Sequence, residues 1–442
     1  MAADPVRDAA VGVLLRVFEH GAFLERALDR TLRRRKVSER GRRFLTQLAY
    51  GTVRHKLLCD YVLEGLLHQP LEELPAPIRA ILRMGVFQSL FCRQVTFPSM
   101  VHTSVDLAKR RGHAGTARLV NAVLRRAPEG LEDVELPPLE DRARYLSVRY
   151  SIPEWLVEEW LSEHGDAGAE TLCEAAASEA PVTLRTNTLK TTPEELMAAL
   201  GKAGCVAEKR TPIPEEVTLV TGPPPARSKL FAQGHFLVQD GASMLPPHLL
   251  EPQPGERVLD VCAAPGGKTT HVAQLTQGNA TVVAMDVQPG KLRLVKENAE
   301  RLGTPGIALL AADGAKPPLR PGFDRVLVDA PCSGLGTLRR HPDLKWRAVP
   351  EDRERLTRCQ LGLLRSGVGV CKNGGVVVYS VCTFTRAETV EVVEAVLNAG
   401  GVELEDGPEW LNPWKIETGQ YRVLPEKGGL DGYFLTRLRK AS

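Results

Sequence analysis

Beyond residue 239 the chain alternates short apolar runs with amphipathic stretches, and that alternation restricts its fold more than any other feature. In order come "RVLDVC", a glycine loop, "KTTHVAQLTQ", "TVVAMDV", "GKLRLVKENAERLG", "IALLAADG", "DRVLVDAPC", "EDRERLTRCQLGLLRSGVGVC", "GGVVVYSVC" and "RAETVEVVEAVLNAG". Strands joined in this way by helices build a parallel sheet with right-handed crossovers. A doubly wound domain of that type binds its ligands at the C-terminal ends of the strands.

The earlier part of the chain has other periods. From residue 5 to about 128, apolar residues recur at three and four spacing, as in "RRFLTQLAYGTVRHKLLCDYVLEGLL", which predicts an all-α module. The acidic stretch "PEGLEDVELPPLED" holds Pro137 and Pro138, which cannot continue a helix, and a boundary is expected there. Between about 145 and 238 the reading is a small α+β domain, with Thr192 and Glu195 spaced as a capping box at one helix start. The expected architecture is multidomain: an all-α domain over 1–135, an α+β domain over 145–238 and a Rossmann-like α/β domain over 239–442.

Length supports the division, since 442 residues exceed what one core organises. No run approaches 18 apolar residues, and the short "VGVLL" follows acids and precedes Arg16, so a cytosolic protein without membrane association is expected. Nine cysteines lacking any CxxC pair imply reduced thiols, with no disulfide framework and no metal site. Residues 1–135 hold 22 Lys+Arg against 15 Asp+Glu, a balance of +7 within a total of +3, leaving −4 for the remainder. Basic helices favour phosphate contacts, although a solvated helix face would look the same.

"VLDVCAAPGGKTTH" reads as strand, tight loop and helix start, a geometry that brings backbone amides up to a ligand. A phosphate-cradling P-loop would need Gly where Cys262 stands, and the G-x-G-x-x-G dinucleotide fingerprint is absent. S-adenosylmethionine remains. Asp286 ends the next strand, where a carboxylate can accept both ribose hydroxyls, and Asp313 ends the third, where it can bind the adenine amino group. Acids that merely cap helices account for either one alone.

Cys332 in "VLVDAPCSGLG" and Cys382 in "VVVYSVCTF" each follow a strand-like run. Neighbouring strands lie about 4.8 Å apart, so both thiols are expected to face one site. A thiol suits attack on a pyrimidine C6, which makes C5 able to take a methyl group, and a second thiol can help remove the C5 proton. Asp329 would lie between cofactor and base, near the ring N3, with Lys268 paired to it. A chance pair of core cysteines, or a redox couple, is the competing reading.

"LDVCAAPGGKT", "DAPCSGLG" with "RRHPDLKW", "YSVC" and "DGYFLTRLRK" together resemble the Sun/RsmB branch of the RNA cytosine-C5 methyltransferases, within the wider Nop2/NSUN family. Residues 1–130, with "LRMGVFQSLF" and "SVDLAKRRGHAGTARLVNAVLRR", resemble the NusB-like RNA-binding domain of that branch. The resemblance implies a class I methyltransferase domain, an RRM-like middle domain and S-adenosylmethionine as cofactor. Its substrate would be 16S rRNA, free or in an early small-subunit particle, and the enzyme a monomer. It assigns attack to Cys382 and release to Cys332, with Asp329 and Lys268 beside them. Cofactor contacts fall on Cys262, Ala263, Ala264, Pro265, Gly266, Gly267, Lys268, Asp286, Asp313 and Asp329. Val381 departs from the family pattern, which has Thr there; here Thr383 follows the cysteine instead.

The competing functions are the same chemistry on another RNA, such as tRNA, and a non-catalytic RNA-binding assembly factor. Arg339, Arg340 and His341 are candidate phosphate contacts on a loop beside the site. Arg185 and Asn187 are equally open to RNA contact or to a strand role, and His102 and His113 lack ligand spacing.

Overall fold

The computed structural model describes residues 4–441, which fall into two compact units. The first comprises residues up to Glu179 together with Leu338–Arg347. Its helices are α1 (Pro5–Phe18), α2 (Leu24–Arg34), α3 (Glu39–Arg54), α4 (Lys56–Leu66), α5 (Ala76–Phe91), α6 (Phe97–Arg111), α7 (Ala114–Leu124), α8 (Arg142–Tyr150) and α9 (Glu154–Ala177). Local chemistry sets several starts. The Asp4 carboxylate accepts from Val6 N at 2.9 Å ahead of Pro5, Ser38 Oγ accepts from Gly41 N, and His113 and Thr116 form a reciprocal cap. A non-helical Gly165 at φ 66° interrupts α9. The three-and-four periodicity closes one core that includes Leu14, Leu48, Ile81 and Leu124.

The segment Leu338–Arg347 supplies this unit with helix caps. Lys345, 1% exposed, donates Nζ to Arg54 O at 2.6 Å, and Trp346 Nε1 donates to Val53 O at 2.7 Å, satisfying carbonyls at the end of α3. Asp343 accepts from Leu24 N, the first amide of α2. Arg339 is itself 1% exposed and its carbonyl accepts from Arg54 at 3.0 Å. The expected phosphate-binding role therefore fails for Arg339: burial takes its side chain away from any RNA backbone.

The second unit comprises residues 180–337 and 348–441. It opens with β1 (Val182–Thr186), α10 (Pro193–Lys202), β2 (Val206–Glu208), β3 (Glu216–Thr221), the single turn α11 (Lys229–Ala232) and β4 (Phe236–Val238). These strands form an antiparallel sheet in the order β2-β3-β1-β4, and Leu184, Leu196, Leu200, Val217 and Phe236 make its small core. Thr192 and Glu195 cap α10 in both directions, at 3.2 and 3.0 Å, as their spacing predicts.

The larger sheet follows, built from α12 (Leu245–Leu250), β5 (Arg257–Asp260), α13 (Gly267–Leu275), β6 (Thr281–Asp286), α14 (Pro289–Leu302), β7 (Ile307–Ala311), β8 (Phe323–Asp329), α15 (Asp352–Val370), β9 (Cys371–Val381) and α16 (Val390–Leu397). The chain ends in β10 (Val402–Leu404), β11 (Lys415–Glu417), β12 (Gln420–Val423) and β13 (Tyr433–Lys440). The strand order is β11-β12-β13-β9-β8-β5-β6-β7, with β10 on β13. Strands β5 to β9 pair in parallel, as the alternation predicts, but β13 runs antiparallel to β9 and makes the sheet mixed. Val326, Val328, Val377 and Tyr379 bury against one layer, and Leu327, Val376 and Val378 against the other. Central strands covered on both faces read as continuous apolar runs.

Candidate active site

The glycine loop leaves the end of β5 with its backbone tied into the sheet. Val261 N donates to Leu327 O at 2.9 Å, and Ala263 N to Met285 O at 2.8 Å. A cis peptide joins Ala264 to Pro265. Gly266 adopts φ +100°, and a Cβ there would stand 3.0 Å from the backbone of Val295, so the position requires glycine on two counts. Helix α13 then starts at Gly267. Buried Arg185, from β1, donates to Gln239 Oε1 at 2.7 Å, to Thr270 Oγ1 at 2.9 Å and to the carbonyl of Gly267. Asn187 is equally buried and donates to Gly234 O and Leu302 O, both at 2.8 Å. Both side chains serve the interior of the unit rather than RNA.

A cleft opens along this loop, lined by Cys262, Ala263, Ala264, Pro265, Gly267 and Lys268 together with Asp260, Asp329, Gln239, Ser243 and Asn298. Asp260, Gln239, Ser243 and Asn298 carry no sequence signal that marks them for the site. Asp260 is 1% exposed; its Oδ2 accepts from Thr269 Oγ1 at 2.7 Å, while Oδ1 has no hydrogen-bond partner among the described residues. Burial pushes its carboxyl up to about 7 against the pull of Thr269, and the charge of Asp329 adds to the rise. Burial likewise pushes the Cys262 thiol well above its ordinary value. Asp286 stands at the end of β6, accepting from Gln288 N at 2.8 Å and Ala264 N at 3.4 Å. Asp313 lies two residues past β7 and accepts from Ala315 N at 2.9 Å.

Asp329, the last residue of β8, gathers three donors. Lys268 Nζ reaches Oδ2 at 2.6 Å; Ser380 Oγ and Tyr433 Oη each reach Oδ1 at 2.8 Å. Lys268 also contacts Ser243 Oγ at 3.2 Å. The expected Lys268–Asp329 pair is present, whereas Ser380 and Tyr433, although within "YSVC" and "DGYFLTRLRK", carry no assigned role in the sequence reading.

Strands β8 and β9 pair with Asp329 opposite Ser380, and each runs on into one of the two cysteines. The sulfurs of Cys332 and Cys382 lie 3.2 Å apart, both half-buried and both free thiols. The hydrogen bond with Cys382, and then burial, push the Cys332 thiol well above its ordinary value. The Pro331–Gly334 loop is fixed from beneath by Glu388, 1% exposed, which accepts from Ser333 N at 2.8 Å and from Gln360 at 2.9 Å. Ser333 Oγ meets Thr383 Oγ1 at 3.1 Å, so the hydroxyl after Cys382 braces the loop carrying Cys332. Val381 is fully buried in the core.

One further polar cluster lies in this unit. Glu215 accepts from His248 Nε2 at 2.9 Å and stands within ion-pair reach of His271. Burial pushes the pKa of His271 down to about 3, and the contacts with His271 and His248 hold Glu215 below the ordinary carboxylate range despite its own burial. The three ligand atoms fall within 4.8 Å of one another.

Comparison with known proteins agrees along the whole chain. Residues 247–439 match the family described as 16S rRNA methyltransferase RsmB/F, residues 4–129 the NusB family, and residues 152–224 the ferredoxin-like domain of RsmF/B-like methyltransferases. The probable ribosomal RNA small subunit methyltransferase B of Bacillus subtilis (strain 168) is 36% identical over 450 residues, covering 100% of both chains. The ribosomal RNA small subunit methyltransferase B of Thermus thermophilus is 36% identical over 447 residues, covering 100% of this chain and 99% of its own. Among solved structures, PH0851 superposes with a TM-score of 0.83 at 25% identity, covering 99% of this chain and 100% of its own. A methyltransferase homolog protein from Pyrococcus horikoshii superposes at 0.59 with 30% identity, over 69% of this chain and 100% of its own. The chain therefore belongs to the RsmB/F family of 16S rRNA methyltransferases.

Proposed function

We propose that the protein methylates C5 of a cytosine in 16S rRNA, with Cys382 attacking C6 and Cys332 assisting loss of the C5 proton and release. The observation that carries this reading is the 3.2 Å approach of the two sulfurs next to the Lys268–Asp329 pair. Binding alone requires no such pairing of thiols.

The cleft fits S-adenosylmethionine. The loop lines it with Cys262 to Pro265, Gly267 and Lys268, and Asp260 Oδ1, without a hydrogen-bond partner among the described residues, is an acceptor suited to an ammonium group. Asp286 ends β6 and Asp313 follows β7 by two residues, positions suited to a ribose and an adenine amino group. The cofactor supplies an electrophilic methyl group.

The thiols divide their roles through one proton. The hydrogen bond with Cys382 and burial hold Cys332 as the thiol, leaving it to donate to the sulfur of Cys382, the proposed nucleophile. Addition of Cys382 to C6 places electron density at C5, which takes the methyl group. Once Cys382 is bonded to carbon, the hydrogen bond holding Cys332 protonated is gone. Cys332 can then lose its proton to solvent and accept the one from C5, and elimination restores the ring and the Cys382 thiolate. The base has to be unpaired or flipped out to reach the thiols. The cationic surplus of residues 1–135 suits an RNA backbone.

The direct test is incubation with methyl-labelled S-adenosylmethionine and transcribed 16S RNA, followed by nucleoside analysis. Labelled 5-methylcytidine is expected; label in any other nucleoside, or none, would overturn the reading.

A further inference from the structure

The C-terminal strand β13 contributes Tyr433, a residue with no part in the chemistry above. Its side chain is almost wholly buried, and its hydroxyl donates to Asp329 Oδ1 at 2.8 Å. Ser380 Oγ donates to the same oxygen at 2.8 Å, and Lys268 Nζ takes the other at 2.6 Å. Lys268 Nζ also lies 5.4 Å from the centre of the Tyr433 ring. A carboxylate offers about four acceptor positions. Two on Oδ1 and one on Oδ2 are filled by the protein, so a single position remains, on the oxygen beside Lys268.

We propose that Tyr433 is a positioning residue that, together with Ser380, locks the Asp329 carboxylate so that this one open acceptor meets the exocyclic amino group of the target cytosine. The inference rests on the cytosine-C5 reading above. An acceptor-only carboxylate pairs with the amino group of cytosine and is repelled by the carbonyl that uracil carries there, so fixing its rotation serves both orientation and base choice. Without the hydroxyl, Oδ1 keeps only Ser380, the carboxylate turns more freely, and C6 is less often aligned with Cys382. Misplacement on this scale costs roughly tenfold to a hundredfold in rate.

The test is Tyr433→Phe, which keeps the ring over Lys268 and removes only the hydroxyl. The full-length variant is assayed with 16S transcript and S-adenosylmethionine beside Cys382→Ala and wild type. The expected result is a kcat lowered at least tenfold, with KM for RNA, Kd for S-adenosylmethionine and Tm unchanged. A purely structural role would move Tm instead of kcat. Should Tyr433→Phe fold poorly, Ser380→Ala, which removes the other donor to the same oxygen, has to show the same kcat-only loss. A wild-type kcat in Tyr433→Phe, or a change confined to KM, overturns the inference while inactive Cys382→Ala leaves the thiol chemistry standing. Turnover by Cys382→Ala overturns that chemistry, and this inference with it.

Discussion

The sulfurs of Cys332 and Cys382 approach to 3.2 Å although fifty residues separate them, because parallel strands β8 and β9 carry them to the same end of the sheet. That proximity gives the two thiols different failures. Cys382→Ala removes the proposed nucleophile, so methyl transfer and covalent capture of RNA should both fall by at least about a thousandfold, in the range seen when a nucleophile is lost. Quantifying 5-methylcytidine and running denaturing gels of the enzyme with RNA measure the two losses. A Cys382→Ala enzyme that still makes product would refute the assignment.

Cys332→Ala should behave otherwise. Attack and methyl transfer remain available through Cys382, but the group proposed to take the C5 proton is missing, so the adduct should persist. Denaturing gels are expected to show protein bound to RNA only when S-adenosylmethionine is present, with little turnover. Free product at the wild-type rate would show that another group performs the release.

These expectations reflect what the residue pattern carries. Lys268, Asp329 and the two cysteines are legible because each lies at a strand end or on the loop after one, and in a doubly wound sheet strand ends converge. Tyr433 is not, since its contact depends on β13 entering antiparallel beside β9, a pairing that no local periodicity encodes. Arg339 misleads for a different reason. A cation following the Cys332 loop suggests a phosphate contact, yet Leu338–Arg347 folds into the helical unit, where Asp343, Lys345 and Trp346 satisfy orphan groups at helix ends. Arg185 and Asn187 are ambiguous in sequence because a polar residue in a strand shows nothing of the distant backbone carbonyls it will bind.

With Asp260 as the proposed partner of the cofactor's ammonium group, cofactor binding should depend on pH. The Asp260 carboxyl titrates near 7 because it is buried, and an ammonium group is held well only by the ionised form. Affinity for S-adenosylmethionine should therefore weaken as pH falls from 8 to 6, approaching a tenfold loss per unit below 7. Isothermal titration across that range measures it. Asp260→Asn should bind more weakly at pH 8 and lose the dependence; an unchanged pH profile in the variant would place the titrating group elsewhere.

Arg185 joins β1 to the start of α13 through Gln239, Thr270 and the Gly267 carbonyl. Arg185→Met fills similar space but leaves Gln239 Oε1 and Thr270 Oγ1 without this donor, a loss of about 2–6 kcal/mol at roughly 1–3 kcal/mol per unsatisfied group. Thermal unfolding should show the lowered stability, and S-adenosylmethionine should bind more weakly because the Gly267 backbone is no longer held. Wild-type stability and affinity together would mean that water replaces the guanidinium at no cost.

His271 sets how steeply stability falls in acid. Burial lowers its pKa from the ordinary 6.5 to about 3 in the folded protein, so the unfolded chain binds a proton below 6.5 that the folded chain refuses. A depressed folded value contributes stability above the unfolded pKa and loses it as pH falls toward the folded one. Glu215, whose folded carboxyl is also depressed, adds a loss of the same sign at lower pH. Each proton of difference is worth about 1.4 kcal/mol per pH unit, so a decline approaching that slope is expected between pH 6 and 4.5 from His271 alone. His271→Asn, which has no proton to take up, should start less stable at pH 7.5 and decline less steeply over the same interval. Thermal melts at stepped pH compare the two slopes; parallel curves would show that His271 is protonated in the folded state, as one half of an ion pair with Glu215.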